Sequence, residues 1–152
     1  MKKLKKDSNP SEYRFWYNDW VEKNAKGNVL DVGRSRFWDY GFPTIDNNSE
    51  MSPTYLDDIC KCSLPSNTFD MVLCNGVYQM IKDPKGMIDE IYRILKKEGI
   101  AIFGFAGTEY IRYGLNKVAR WKVYDNDVDF KEFKIINRKD FNKEYHYIIC
   151  QK

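Results

Sequence analysis

Asn28-Val-Leu-Asp-Val32, closed by Gly33, is a short run of apolar and β-branched residues with a single acid inside it. It lacks the polar–apolar alternation of a strand with one face in water. Such a run reads as a strand buried on both faces, as in a parallel sheet covered by helices. Three more segments read the same way: Pro43-Thr-Ile-Asp46, Phe69-Asp-Met-Val-Leu-Cys74 and Ile100-Ala-Ile-Phe-Gly-Phe105. Helical periodicity fills the chain around them. Tyr13, Trp16, Tyr17, Trp20 and Val21 fall on one stripe of a helix over about 11–25. Asn9 suits its N-cap, Pro10 its first position and Glu12 a capping box, and Gly27 ends it. Met87, Ile88, Ile91, Ile94 and Leu95 predict a second helix over about 84–97, with Glu98-Gly99 turning into the fourth strand. Thr108 can cap a third, running to about Trp121, with Ile111, Leu115, Val118 and Ala119 facing inward. Two strands, 130–136 and 145–150, close the chain around a polar turn.

Strands alternating with helices imply an α/β fold. The expectation is a Rossmann-like, mostly parallel sheet flanked by helices, with an antiparallel C-terminal strand pair. The 28–32 and 69–74 strands should be adjacent and parallel. One domain should span residues 1–152, with 1–9 as a flexible basic tail.

Composition narrows the function classes. Apolar residues make up 43% of the 152 and charged residues 31%, as in a globular chain with a real core. No apolar run approaches the roughly 20 residues of a membrane span. Met1-Lys-Lys-Leu-Lys-Lys-Asp7 is basic but has no apolar stretch behind it, so a cytoplasmic protein without a secretory signal is expected. The net charge of +3 demands no nucleic-acid partner. Cys60, Cys62, Cys74 and Cys150 are expected as free thiols. With His146 the only histidine and no second cysteine pair, the familiar zinc spacings are missing and no metal site is expected.

In open α/β sheets, ligands bind beyond the carboxyl ends of the strands, where strand order reverses. Here those ends carry Asp31-Val-Gly33, Asp46-Asn-Asn48 and Asn75-Gly76. A carboxylate ending the second strand can accept both hydroxyls of a ribose, which makes this a nucleoside-type constellation.

The order Val29-Leu-Asp-Val-Gly33, Thr44-Ile-Asp46, Leu56-Asp-Asp-Ile59, Leu64-Pro65, 69–75 and Glu90-Ile-Tyr-Arg-Ile-Leu-Lys-Lys-Glu-Gly99 resembles the class I S-adenosylmethionine-dependent methyltransferases, in particular the small type 11 group. The resemblance covers about 13–105. It implies S-adenosylmethionine as cofactor, with Asp31, Gly33 and Arg34 around its methionine end. By the same resemblance Asp46 and Asn47 would meet the ribose, and Asp58 and Ile59 the adenine. Asp57 is the alternative to Asp58. Asn75 and Gly76 would lie under the sulfonium.

The chain also departs from the family. Where the family's loop reads D-x-G-x-G-x-G, this one reads Asp31-Val-Gly-Arg-Ser-Arg-Phe37, which keeps one glycine of three. Gly41 and Phe42-Pro43 leave too little chain for the usual helix between the first two strands. Tyr78-Gln79-Met80 stands where the group often has Glu-His, and reads as the loss of both polar groups. No His–Asp pair or other base motif stands out, and His146 reads as a surface or structural residue. Methyl transfer from a sulfonium needs mainly alignment of a nucleophile, so no catalytic residue is assigned.

Two functions stay open. One is a methyltransferase acting on a small molecule or a sugar- or lipid-linked intermediate. The other is a non-catalytic methyltransferase-like module, a pseudoenzyme or partner subunit in a homo- or hetero-oligomer. Asp31, Asp46 and Asp58 favour the first, and the glycine-poor loop and short crossover the second. A nucleotide-binding protein using Arg34 and Arg36 for phosphate would lack a glycine-rich phosphate loop.

Overall fold

A computed structural model describes residues 11–33, 39–107 and 128–152. Helix α1 (Glu12–Asn24) leads into β1 (Val29–Val32), β2 (Thr44–Asp46), β3 (Tyr55–Leu56) and β4 (Phe69–Asn75). Helix α2 (Pro84–Ile94), β5 (Leu95–Ala106), β6 (Lys134–Phe141) and β7 (Tyr145–Gln151) follow. The strands form one sheet in the order β3-β2-β1-β4-β5-β7-β6. The first five are parallel, with Asp31 opposite Thr44 on one side and Leu73 on the other. β7 runs antiparallel between β5 and β6. This is the expected Rossmann-like architecture, and β1 and β4 are adjacent and parallel as expected.

All four residues of β1 are buried, which is why the run lacks alternation. On one face of the sheet Tyr13, Tyr17 and Val21 of α1 join Val29, Leu73, Ile102 and Tyr147 in one cluster. On the other, Met87, Ile88, Ile91 and Ile94 of α2 join Leu30, Val72, Phe103 and Ile148. Both helical stripes expected from periodicity face the sheet.

Helix α1 keeps its expected span of about 11–25, and three other boundaries differ from expectation, each for a physical reason. Helix α1 starts at Glu12 with Ser11 at its N-cap, whose side chain makes no capping bond; Asn9 and Pro10 lie outside the described residues. Helix α2 ends at Ile94 rather than near 97. Its last carbonyls are taken by distant donors: Asn67 N to Arg93 O, Thr68 N to Ile94 O, and Lys152 Nζ to Leu95 O at 2.8 Å. Leu95 is already extended and pairs with Phe69. β6 covers 134–141 rather than 130–136, because Phe130 and Phe133 are core plugs packed on Phe103 rather than strand residues. Its polar residues, expected as a turn, form an exposed edge strand, and the turn shrinks to 142–144 with Asn142 at φ +50°. The expected 108–121 helix, the 1–9 tail and the loop residues Arg34, Ser35, Arg36 and Phe37 lie outside the described residues. No described helix is long and apolar enough to cross a membrane.

Candidate functional site

Because β3, β2, β1 and β4 are parallel neighbours, their carboxyl ends form one rim. Along it stand, in order, the Asp57–Asp58 turn, Asp46, Gly33 and Asn75–Gly76. Segments far apart in sequence thus meet at the point where strand order reverses.

At the β1 end, Gly33 has φ +68° and donates its N–H to Ile45 O at 2.8 Å. A Cβ here would sit 2.9 Å from Val77 Cγ2, so the β1 loop and the segment after β4 close on each other at this glycine. Arg34 follows outside the described residues. Asp31 is 7% exposed, facing α1. Burial, and then the charge of Asp39, pushes its carboxyl up to about 8. The hydroxyls of Tyr17 and Tyr40 are buried nearby without a partner among the described residues. Burial, and then the charge of Asp31, pushes both phenols up.

At the β2 end, Asp46 Oδ1 accepts the Asn48 N–H at 2.9 Å, and Asn48 Oδ1 accepts the Glu50 N–H at 3.0 Å. These Asx turns hold the loop with one carboxylate oxygen of Asp46, leaving Oδ2 without a partner among the described residues. Asn47 is exposed beside it.

Beyond β3 the two aspartates divide their tasks. Asp57 accepts from Ser63 N and Ser63 Oγ on Oδ2, and from Asp58 N on Oδ1, each at 2.8 Å. The Ser63 backbone bond is the first cause of its lowered pKa. Asp58 caps the 3-10 turn Ile59–Lys61, its Oδ1 accepting Cys60 N, and its carboxylate also meets the Cys60 thiol, which burial and then the charge of Asp58 push up. Of the alternatives read from the sequence, Asp57 has both oxygens committed within its own turn, whereas Asp58 accepts a single backbone bond. The structure does not bring the Ile59 side chain to the rim: it is 6% exposed and belongs to the core.

At the β4 end, Asn75 Oδ1 accepts the Tyr145 hydroxyl at 2.7 Å. Gly76 has φ +73° and donates to Gly104 O at 3.0 Å. Tyr145 was not singled out from the sequence. No local signal marks it, since it reaches Asn75 only because β7 returns beside β5. Where the family often has Glu-His, Gln79 is 4% exposed and Met80 beside it 62% exposed.

The sequence also showed no His–Asp pair, yet His146 Nδ1 and Asp140 Oδ1 lie 2.7 Å apart across the β6–β7 hairpin. The four cysteines are free. No metal-binding group of three ligands occurs among the described residues. A cavity of about 150 Å³ lies between the start of α1 and the hairpin, lined by Glu12, Asp140 and Glu144 among others, away from the rim of β1 and β2. We give it no part in the site, because none of the rim residues lines it.

Residues 39–103 match the family of methyltransferase domains. Among curated proteins, none matches the chain. Solved structures do. A SAM-dependent methyltransferase of Thermotoga maritima is 15% identical at TM-score 0.62, covering 92% of this chain and 96% of its own. The N-methyltransferase NodS of Bradyrhizobium japonicum is 13% identical at TM-score 0.64, with 91% and 95% covered. The cyclase SpnF is 13% identical at TM-score 0.69, with 90% and 80% covered. The chain has the methyltransferase fold, and the matched segment agrees with the family that its residues resemble.

Proposed function

We propose that the protein is an S-adenosylmethionine-dependent methyltransferase acting on a small molecule or a sugar- or lipid-linked acceptor. The observation that carries this is the rim, where Asp58, Asp46, Gly33 and Asn75 follow one another along adjacent parallel strands in the order adenine, ribose, methionine and methyl would need. Asp46 and Asp58 each hold their own loop through one oxygen, and Asp46 Oδ2 has no partner among the described residues. Gly33 lets the backbone approach the ligand closely. On this reading Asp31 serves the methionine end, Asn47 the ribose, the Ile59 backbone the adenine and Gly76 the reacting centre; Arg34, assigned to the methionine end by the resemblance, lies outside the described residues.

When bound, S-adenosylmethionine supplies an activated methyl on a sulfonium. The chain's own contribution is to hold the donor on the rim and to place a nucleophile in line with it. Asn75 is fixed for this by Tyr145, and Tyr145 by the Tyr13 ring stacked on it at 4.5 Å. One fact favours the second reading, a methyltransferase-like module without transfer activity: only residues 33–43 join β1 to β2, too few for a full crossover helix. Calorimetric titration of the wild-type protein and Asp46→Ala with S-adenosylmethionine tests the proposal. Binding by the wild type that weakens in the variant supports it, and silence from the wild type favours the second reading.

A further inference from the structure

Asp31, Tyr17 and Tyr40 come together from three elements: β1, α1 and the link before β2. They are 7%, 2% and 7% exposed. The two tyrosine rings meet edge to face at 6.5 Å, and neither hydroxyl has a hydrogen-bond partner among the described residues. The charge of Asp31 acts on both phenols, which puts its carboxyl close to both. The titratable groups around the cluster are all acidic. Glu22 of α1 acts on Tyr40, Asp39 of the link acts on Asp31, and Cys74 of β4 feels the Asp31 charge. The strand neighbours of Asp31, Thr44 on β2 and Leu73 on β4, carry no charge. No described lysine, arginine or histidine acts on Asp31. A carboxyl buried without a cation keeps its proton, and here burial, then Asp39, pushes it up to about 8. The same arrangement suits a positive group brought by a ligand, because only a cation makes the ionised carboxylate affordable there.

We infer that cofactor binding is proton-linked: Asp31 is protonated in the ligand-free protein and gives up its proton when the ligand's α-ammonium reaches it. This rests on the methyltransferase reading, which brings the methionine end of the cofactor to Asp31. The step balances simply. A neutral carboxyl and an ammonium become a carboxylate–ammonium pair, and one proton passes to the solvent. Affinity therefore rises with pH while Asp31 is still protonated and the ligand keeps its ammonium. An α-amino group loses its own proton near pH 7.7–8.0, about where Asp31 ionises unaided, so the rise ends there.

The test is calorimetric titration of the full chain with S-adenosylhomocysteine, which carries the ammonium but no sulfonium. At pH 6.5, in buffers of different ionisation enthalpy, the wild type should release about one proton per ligand bound. Its affinity should rise about tenfold per pH unit between pH 5.5 and 7. Asp31→Asn should release none and bind with the same affinity at both pH values. Infrared difference spectra of the wild type should show a protonated carboxyl band lost on binding, which keeps the test open if the variant fails to fold. Binding without proton release, or without loss of that band, overturns the inference, as it would if a guanidinium already held Asp31 ionised. Undiminished proton release in Asp31→Asn overturns it too, because another group is then the source. Failure of the wild type to bind S-adenosylhomocysteine at any pH defeats the methyltransferase reading itself, and this inference with it.

Discussion

Asp31 is buried in a strand interior with two unpartnered phenols nearby, and it holds its proton up to about pH 8 against an ordinary 3.8. The folded state thus binds that proton more tightly than the unfolded chain does. Stability from this group is fully present at low pH and declines as pH rises from about 4 to about 8. Asp31→Asn, neutral throughout, should flatten that decline. Its thermal midpoint should match the wild type near pH 4 and exceed it above pH 8. Equal slopes in the two proteins would show that Asp31 ionises as freely folded as unfolded. Asp46 makes a different prediction, because it is only half-buried and its Oδ2 has no partner among the described residues. Asp46→Ala should leave folding nearly intact and weaken S-adenosylmethionine by about 1.5–3 kcal/mol, the range for hydrogen bonds to a charged group. Unchanged affinity would remove Asp46 from the site. Both aspartates were legible in the sequence, Asp46 as the last residue of its strand and Asp31 as the single acid within an apolar run. The burial of Asp31 under Tyr17 and Tyr40 was not, since those tyrosines arrive from α1 and from the link before β2.

Elements were legible where their pattern answers to local physics, and illegible where a distant group decides. The stripes of α1 and α2 and the apolar runs of β1 and β4 follow from burial and periodicity. The end of α2 does not, because Lys152, at the far end of the chain, takes its carbonyls and lies over the Tyr92 ring at 4.8 Å. Lys152→Met should therefore cost about 1–2 kcal/mol, seen as a lower urea midpoint at unchanged slope, through loss of charged hydrogen bonds to buried carbonyls. A midpoint equal to the wild type would mean that Asn67 and Thr68 cap the helix alone. Gly33 belongs to the same scale. Gly33→Ala forces a side chain into the left-handed region, about 1–2 kcal/mol, and presses it on Val77. It should weaken both stability and cofactor binding, and an effect on neither would contradict the close approach seen there. The Phe130–Phe133 pair looked like part of a strand because Phe130-Lys-Glu-Phe-Lys-Ile-Ile136 mixes apolar and charged residues without a clean period, which is ambiguous between a strand and a core plug.

At the scale of the molecule, strand order does what no single motif can: it lines up residues 31–33, 46, 58 and 75–76 along one rim. Motif order in the sequence already implied this for Gly33, Asp46 and Asn75, which follow or end the apolar runs of β1, β2 and β4. Tyr145 met Asn75 at the β4 end only once the sheet was assembled. SpnF, named a cyclase, shares the fold, so the fold alone does not decide the chemistry and the rim must. The most direct measurement is calorimetric titration of the unmodified full-length chain with S-adenosylmethionine, S-adenosylhomocysteine and ATP. The account predicts micromolar binding of the first two and none of ATP. Saturable binding of ATP alone, or silence toward S-adenosylmethionine and S-adenosylhomocysteine at millimolar concentration, would contradict it.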